Sequence, residues 1–153
     1  MDFAYNDEQK EIIKVVRDLV EKEIVPYASE MDETGKLHEG LLEKLAAQGL
    51  LGVAIPEEFG GAGLDAITIA AIYEELGKGC AGVATTVAAN ALASYPVIIA
   101  GNDDQKKRYF DIINEDNLAA FALTEPGTGS DAGSVSTRAM KTEDGKGYIL
   151  NGT

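Results

Sequence analysis

Leu118–Asp131, LAAFALTEPGTGSD, is where the chain changes character. Upstream of it, apolar residues recur three and four positions apart, as on one face of a helix. From it onward they come in short runs between Gly- and Thr-rich turns, as in β-structure. Leu118–Thr124 fits a strand and Glu125–Asp131 a loop, while Ser136–Lys141 and Tyr148–Asn151 fit two more strands around a turn at Glu143–Gly147. Residues 1–113 therefore read as an all-α domain and 114–153 as the start of a β-domain, because three strands alone make a poor core.

Working back from that stretch, the helices carry recognisable starts and stops. Asn6 followed by Gln9 spells a capping box, and Asp7 and Glu8 place negative charge at the positive end of the helix dipole. Ile12, Ile13, Val16, Leu19, Val20 and Ile24 then form one stripe, which Pro26 should end or kink. A second helix fits His38–Gln48 with Gly49 as its cap, and a third fits Ala66–Lys78. Leu50–Asp65 is a Gly-rich connection. Ala81–Ala100 contains no charged side chain and reads as a helix buried on every side, bent at Pro96. Asn102 and Gln105 repeat the capping box ahead of a last helix ending at Ile113.

Composition narrows the function classes. With 26 Asp and Glu against 13 Lys and Arg in 153 residues, the net charge is −13. That field opposes binding to nucleic acid, which needs cations to neutralise phosphates, and to an anionic membrane. No apolar run is read as a membrane span, and MDFAYNDEQK lacks the basic end and apolar core of a signal peptide, so a soluble, cytoplasmic protein is expected. The one cysteine, Cys80, and the one histidine, His38, do not make a zinc cluster, and no metal is expected. Cys80 reads as a small buried hydrophobe and His38 as a surface residue. Glu57/Glu58 and Glu74/Glu75 read as solvated acids, since neighbours on a helix do not face each other.

Two segments match the spelling of a dinucleotide fingerprint, Gly61–Ala66 and Gly127–Ala132. The first follows no clear strand, and the second leads into β-like sequence where a helix is needed, so neither is a Rossmann turn. The second has other means of holding an anion. Its glycines leave backbone N–H groups accessible, and Thr124, Thr128 and Ser130 add hydroxyl donors suited to a pyrophosphate or a flavin carbonyl. An ordinary polar turn has the same composition.

Phe121–Asp131 as a whole resembles the flavin-loop signature of the acyl-CoA dehydrogenase family, in particular its short-chain, butyryl-type members. Ile55–Gly61 (IPEEFGG), Tyr73–Leu76 (YEEL), Pro96–Gln105 (PVIIAGNDDQ) and Leu150–Thr153 (LNGT) match other family segments, in the family's order. The resemblance implies an N-terminal helical domain followed by the first strands of an incomplete, β-barrel-like middle domain. It also implies FAD as cofactor, with Phe121, Leu123 and Thr124 beside the flavin ring and Gly129 and Ser130 nearer the phosphates and substrate. Ala84, Thr85, Ala88 and Leu92, with Ser130, would line the substrate site, the small residues leaving room for an acyl tail.

The implied reaction is α,β-dehydrogenation of an acyl-CoA thioester: a carboxylate takes the α-proton and the flavin takes the β-hydride. Electrons would pass to an electron-transfer flavoprotein, and the family is commonly a homotetramer. The family's catalytic Glu lies in a C-terminal helical bundle, so no catalytic residue is expected among these 153 and the chain alone is expected to be inactive. An acyl-CoA oxidase or an enoyl-CoA reductase on the same fold, or a non-catalytic helical interaction module, remain the alternatives.

Overall fold

The computed structural model describes residues 4–115 and 117–153 and divides into two compact units, one running to Phe121 and the other from Ala122 to Thr153. In the first, α1 (Asp7–Leu19) begins as its sequence predicts: Asn6 Oδ1 accepts from Gln9 N at 2.8 Å, and Gln9 Oε1 accepts from Asn6 N at 3.1 Å. Pro26 changes the helix type rather than ending the helix. A π-turn, Val20–Ile24, and a 3-10 turn, Val25–Tyr27, lead into α2 (Ala28–Thr34), which the periodicity did not reveal. Proline has no N–H to donate and its ring crowds the carbonyl four residues back; the wider turn ahead of it gives the ring room.

The second expected helix is shorter than predicted. α3 spans Leu41–Ala47, held between Gly40 at φ 74° and Gly49 at φ 69°, left-handed positions that a right-handed helix cannot include. α4 (Ala66–Gly79) is capped by Asp65, whose carboxylate accepts from Ile67 N and Thr68 N at 2.8 and 2.9 Å. α1 and α4 are tied at two levels. Gln9 Nε2 donates to Thr68 Oγ1 at 3.1 Å, and Arg17 donates twice to Glu75 at 2.9 and 3.0 Å. Residue numbers rise together across these ties, so the two helices run parallel. Where they converge, a Cβ on Gly79 would come within 2.5 Å of Val20 Cγ1; only glycine allows that approach.

α5 (Ala81–Ala100) and α6 (Asp103–Ile113) complete the helical unit, α6 opening with the second predicted capping box. The core joins Val16, Val20, Ile24, Leu45, Leu76 and Val87, and a satellite cluster joins Ile55, Phe110 and Ile113. α5 departs from expectation. Val83, Val87, Asn90, Ala91, Ala93 and Ser94 are buried, but Thr85, Leu92, Tyr95 and Ile99 are exposed on the opposite side. The expectation that no run approaches a membrane span is also corrected, since α5 has that length and composition. One buried side preserves the pattern of a core helix, and its polar centre, Asn90, has a partner for both polar atoms: Nδ2 donates to Leu51 O at 2.8 Å and Oδ1 accepts from Ala119 N at 2.6 Å.

In the second unit, β1 (Arg138–Lys141) pairs antiparallel with β2 (Tyr148–Asn151), Arg138 opposite Asn151, around the predicted turn. Leu118–Thr124 is not a strand. A strand is defined by a ladder, and among the described residues this segment pairs with none; the nearest approach is an isolated bridge between Glu125 and Thr128. The architecture is mainly α, a helical domain followed by the first strands of the next.

Candidate functional site

The loop from Thr124 to Asp131 is shaped by one carboxylate. Glu125 Oε2 accepts from Ser136 N and Oγ at 2.8 and 2.6 Å, and Oε1 accepts from Thr137 N at 2.8 Å. These donors, Ser136 first, hold the Glu125 carboxyl down to about 2. Thr128, buried, exchanges backbone hydrogen bonds with Glu125 and donates its hydroxyl to Ser134 O at 3.1 Å. Asp131 accepts from the Ser134 hydroxyl and from Ser134 N.

With the loop fixed from within, its other donors stay open. Among the described residues, the N–H groups of Gly127, Gly129 and Ser130 and the hydroxyls of Thr124 and Ser130 have no hydrogen-bond partner. A Cβ on Gly127 or Gly129 would meet nothing within 4 Å, so neither glycine is required by neighbouring protein atoms. This is a set of outward donors with no acidic side chain free among them, since Glu125 and Asp131 are engaged. Such a set suits an anionic or carbonyl-rich ligand. Leu123 is exposed beside it, and Phe121, also exposed, closes the helical unit.

On α5, Thr85, Ala88 and Leu92 follow one another at spacings of three and four and share the outer face, with Thr85 and Leu92 exposed and Ala88 half-buried. Their face continues through Tyr95 and Ile99. Ala84 sits at its edge, half-buried against the core and turned toward Gly77 of α4. The outer face is uncharged from end to end, with two small side chains, Thr85 and Ala88, toward its start and larger ones beyond. Beneath it Tyr73 of α4 is pushed up to about 12 by burial and by Tyr95, and its hydroxyl has no partner among the described residues.

One acid differs from its expected setting. Glu75 is buried, not solvated: Arg17 chelates it, Lys78 adds a bond at 2.8 Å, and the carboxyl is held down to about 2 against the burial that would raise it. Glu74 is exposed and pairs with Lys78. His38, expected at the surface, is half-buried and stacked on Tyr27 with ring centroids 3.5 Å apart. Cys80 is half-buried at the start of α5. No group of His, Cys, Asp and Glu able to hold a metal occurs among the described residues.

A sequence profile described as "Acyl-CoA dehydrogenase, N-terminal domain" matches residues 6–115, most of the helical unit. The chain belongs to the acyl-CoA dehydrogenase family. It is 43% identical over 149 residues to a 3-(aryl)acrylate reductase of Clostridium sporogenes, an alignment covering 95% of this chain and 39% of that protein. The solved butyryl-CoA dehydrogenase of Megasphaera elsdenii superposes with a TM-score of 0.84 at 36% identity, over 99% of this chain and 41% of that one. An acyl-CoA dehydrogenase from Bacillus anthracis solved in complex with FAD gives 0.83 at 37%, over 97% and 26%. The chain thus spans about two fifths of the length of the curated relatives it matches first.

Two features of this dehydrogenase fold leave little or no trace in the sequence. Asn90 had no signal, since its partners lie 39 and 29 residues away. An apolar pocket of about 340 Å³, lined by Ile12, Val15, Leu19, Leu50, Val53 and Leu64, lies between α1 and the Gly-rich connection. Its trace in sequence is the exposed Val15, one position off the buried stripe.

Proposed function

We propose that this chain supplies the helical domain and the flavin-contacting loop of an FAD-dependent acyl-CoA dehydrogenase. The observation that carries this reading is the open donor set at Thr124, Gly127, Gly129 and Ser130, on a loop that Glu125 holds in place from behind. FAD, when bound, supplies the hydride acceptor. This chain's residues bind and orient: Phe121 and Leu123 offer apolar surface to the flavin ring, Thr124 a hydroxyl, and Gly129 and Ser130 donors toward phosphate or thioester. The acyl tail is assigned to the outer face of α5, where Thr85, Ala88 and Leu92 set the available width, with Ala84 at its edge.

No carboxylate in residues 1–153 is assigned as the base that takes the α-proton. Glu75 and Glu125, both held at about 2, are poor proton acceptors near neutrality, and each is already saturated with donors. The base, the electron-transfer flavoprotein that receives the electrons and the homotetrameric state are assigned to a protein of the full length of these relatives. Two measurements on the purified 153-residue chain test the allocation: flavin absorbance on mixing with FAD, and dye reduction with butyryl-CoA. Weak flavin binding without turnover is expected; tight binding with steady turnover overturns it. In the longer protein Ala88→Leu is expected to shift preference toward shorter acyl chains, and an unchanged profile removes α5 from the tail site.

A second reading is favoured by the 43% identity to a 3-(aryl)acrylate reductase: the same site run as a reductase of an α,β-unsaturated acyl group. Comparing rates in the two directions, with saturated and unsaturated acyl substrates, separates the two.

A further inference from the structure

Two side chains buried on α5 are polar, and they behave differently. Ser94 donates back into its own helix, to Asn90 O at 2.8 Å, whereas Asn90 reaches two other segments, Leu51 O through Nδ2 and Ala119 N through Oδ1. The bond to Ala119 stands alone. Among the described residues it is the one hydrogen bond made by residues 118–124. Ala119 is also the one residue of that stretch that is not exposed, and it rests on the satellite cluster of Ile55, Phe110 and Ile113. Phe121 follows two residues later, so its Cα lies at most about 7 Å from that of Ala119. On the helix, Ala88 and Leu92 stand two positions either side of Asn90, on the outer face.

We propose that Asn90 is a positioning residue: through Ala119 it holds Phe121, the wall assigned to the flavin ring, at a set distance from Ala88 and Leu92, the wall assigned to the acyl tail. The inference rests on those two assignments and adds what links them. Helical hydrogen bonds fix the backbone between Asn90 and either neighbour, so one side-chain bond sets the spacing of the two walls. Nδ2 bonded to Leu51 O orients the amide, and Oδ1 is thereby aimed at Ala119 N at 2.6 Å. Since the Asn90 side chain has no exposed surface, water does not compete for it. Transfer between two bound groups needs the reacting atoms within about 3.5 Å of each other, and a misplacement of about 1 Å costs on the order of 100-fold in rate. The spacing of the walls is therefore a property that the reaction would register even where the fold is kept.

Three substitutions test it, each read in two ways. Ala119→Pro removes the donor, and Asn90→Ser, whose hydroxyl is one bond shorter, withdraws the acceptor. Asn90→Asp keeps an oxygen for Ala119 N whether or not its carboxyl is protonated. In the 153-residue chain without flavin, Ala119→Pro and Asn90→Ser are expected to lower the heteronuclear NOE of the Phe121 amide while the α4 and α5 amides keep theirs. Asn90→Asp is expected to leave Phe121 as it is. In a protein of the full length of the relatives, loaded with FAD, the first two variants are expected to slow flavin reduction by butyryl-CoA about tenfold or more, with KM little changed. Asn90→Asp is expected to retain the rate even where its thermal midpoint falls. The proposal is overturned if none of the three changes the NOE at Phe121, or if the rate follows the thermal midpoint in all three, as loss of stability alone produces. Native protein whose flavin butyryl-CoA does not reduce, with the NOE pattern as expected, overturns the flavin and acyl assignments and the positioning role with them. Native reduction that Ala119→Pro and Asn90→Ser leave unchanged overturns the positioning role alone.

Discussion

The two units of this chain are ordered by different forces. In the helical unit Ile24, Leu45, Leu76 and Val87 have no exposed surface at all, and the helices are positioned by what they bury. From Ala122 onward Thr128 is the one buried residue among those described, and every residue of β1 and β2 is exposed. Order there comes from hydrogen bonds: the Glu125 carboxylate to Ser136 and Thr137, Thr128 to Ser134, and Thr142 around the hairpin turn. Burial makes a cooperative unit in which each residue's loss is felt globally. A net of exposed hydrogen bonds makes a local one, because each bond is exchanged against water at little net gain. The proposed flavin donors lie in the second kind of region and the proposed acyl face on the first.

The largest effect that sharpens this contrast is at Asn90. Asn90→Leu removes the donor to Leu51 O and the acceptor of Ala119 N inside a packed interior. One buried and one half-buried backbone group left unpaired cost about 3 kcal/mol together. Urea titration of the variant is expected to show the helical unit losing that much stability while hairpin resonances keep their shifts. A loss near zero would mean the interior tolerates the unpaired groups.

Glu75→Gln comes next. It leaves Arg17 and Lys78 without their carboxylate, and since Arg17 is half-exposed and recovers hydration, the expected loss is about 2 kcal/mol. The effect depends on pH. Folding holds the Glu75 carboxyl at about 2 against an ordinary 4.5, so the unfolded chain takes up the proton first. The stabilisation is complete above about 4.5 and disappears as pH falls toward 2. Thermal midpoints of the native chain and the variant are therefore expected to converge across that window. A gap that stays constant from pH 7 to pH 2 would assign the loss to packing rather than to charge.

What the sequence disclosed follows the range of the interaction. Both capping boxes were legible because their partners are three residues apart, and the β1–β2 turn because Gly and Asp mark it locally. Thr85, Ala88 and Leu92 were placed on one face by spacing alone. Which side of α5 faces out was not legible: a helix apolar all round carries no pattern that points inward, and its orientation is set by Asn90 and the α4 contact, far off in sequence. Glu75 was misread for the same reason, its partner Arg17 being 58 residues away. Leu118–Thr124 has a strand's composition, but pairing is a property of two segments and one segment's residues do not reveal it. At the candidate site, residue types at Thr124, Gly129 and Ser130 suggested donors; that Glu125 is their internal support needed the fold.

The smallest effect on stability is expected where the local chemistry changes most. Glu125→Gln keeps one carbonyl oxygen but replaces the other acceptor with an amide that cannot take the Ser136 and Thr137 donors together. Because no apolar side chain is buried there, the thermal midpoint of the helical unit is expected to stay where it is. The Ser136 and Thr137 amides are expected to exchange with solvent markedly faster than in the native chain. In the native chain, protonation reproduces the substitution: the carboxyl is held at about 2, so the clasp persists through pH 4.5 and opens as pH falls toward 2. Exchange at the 136 and 137 amides, taken relative to that of an unstructured amide at the same pH, is therefore expected to rise as pH falls through that window in the native chain and to lack that step in the variant. If Glu125→Gln instead lowers the thermal midpoint as Asn90→Leu does, the loop is part of the cooperative helical core. The contrast between a region held by burial and one held by hydrogen bonds then fails at the place where the flavin donors are proposed.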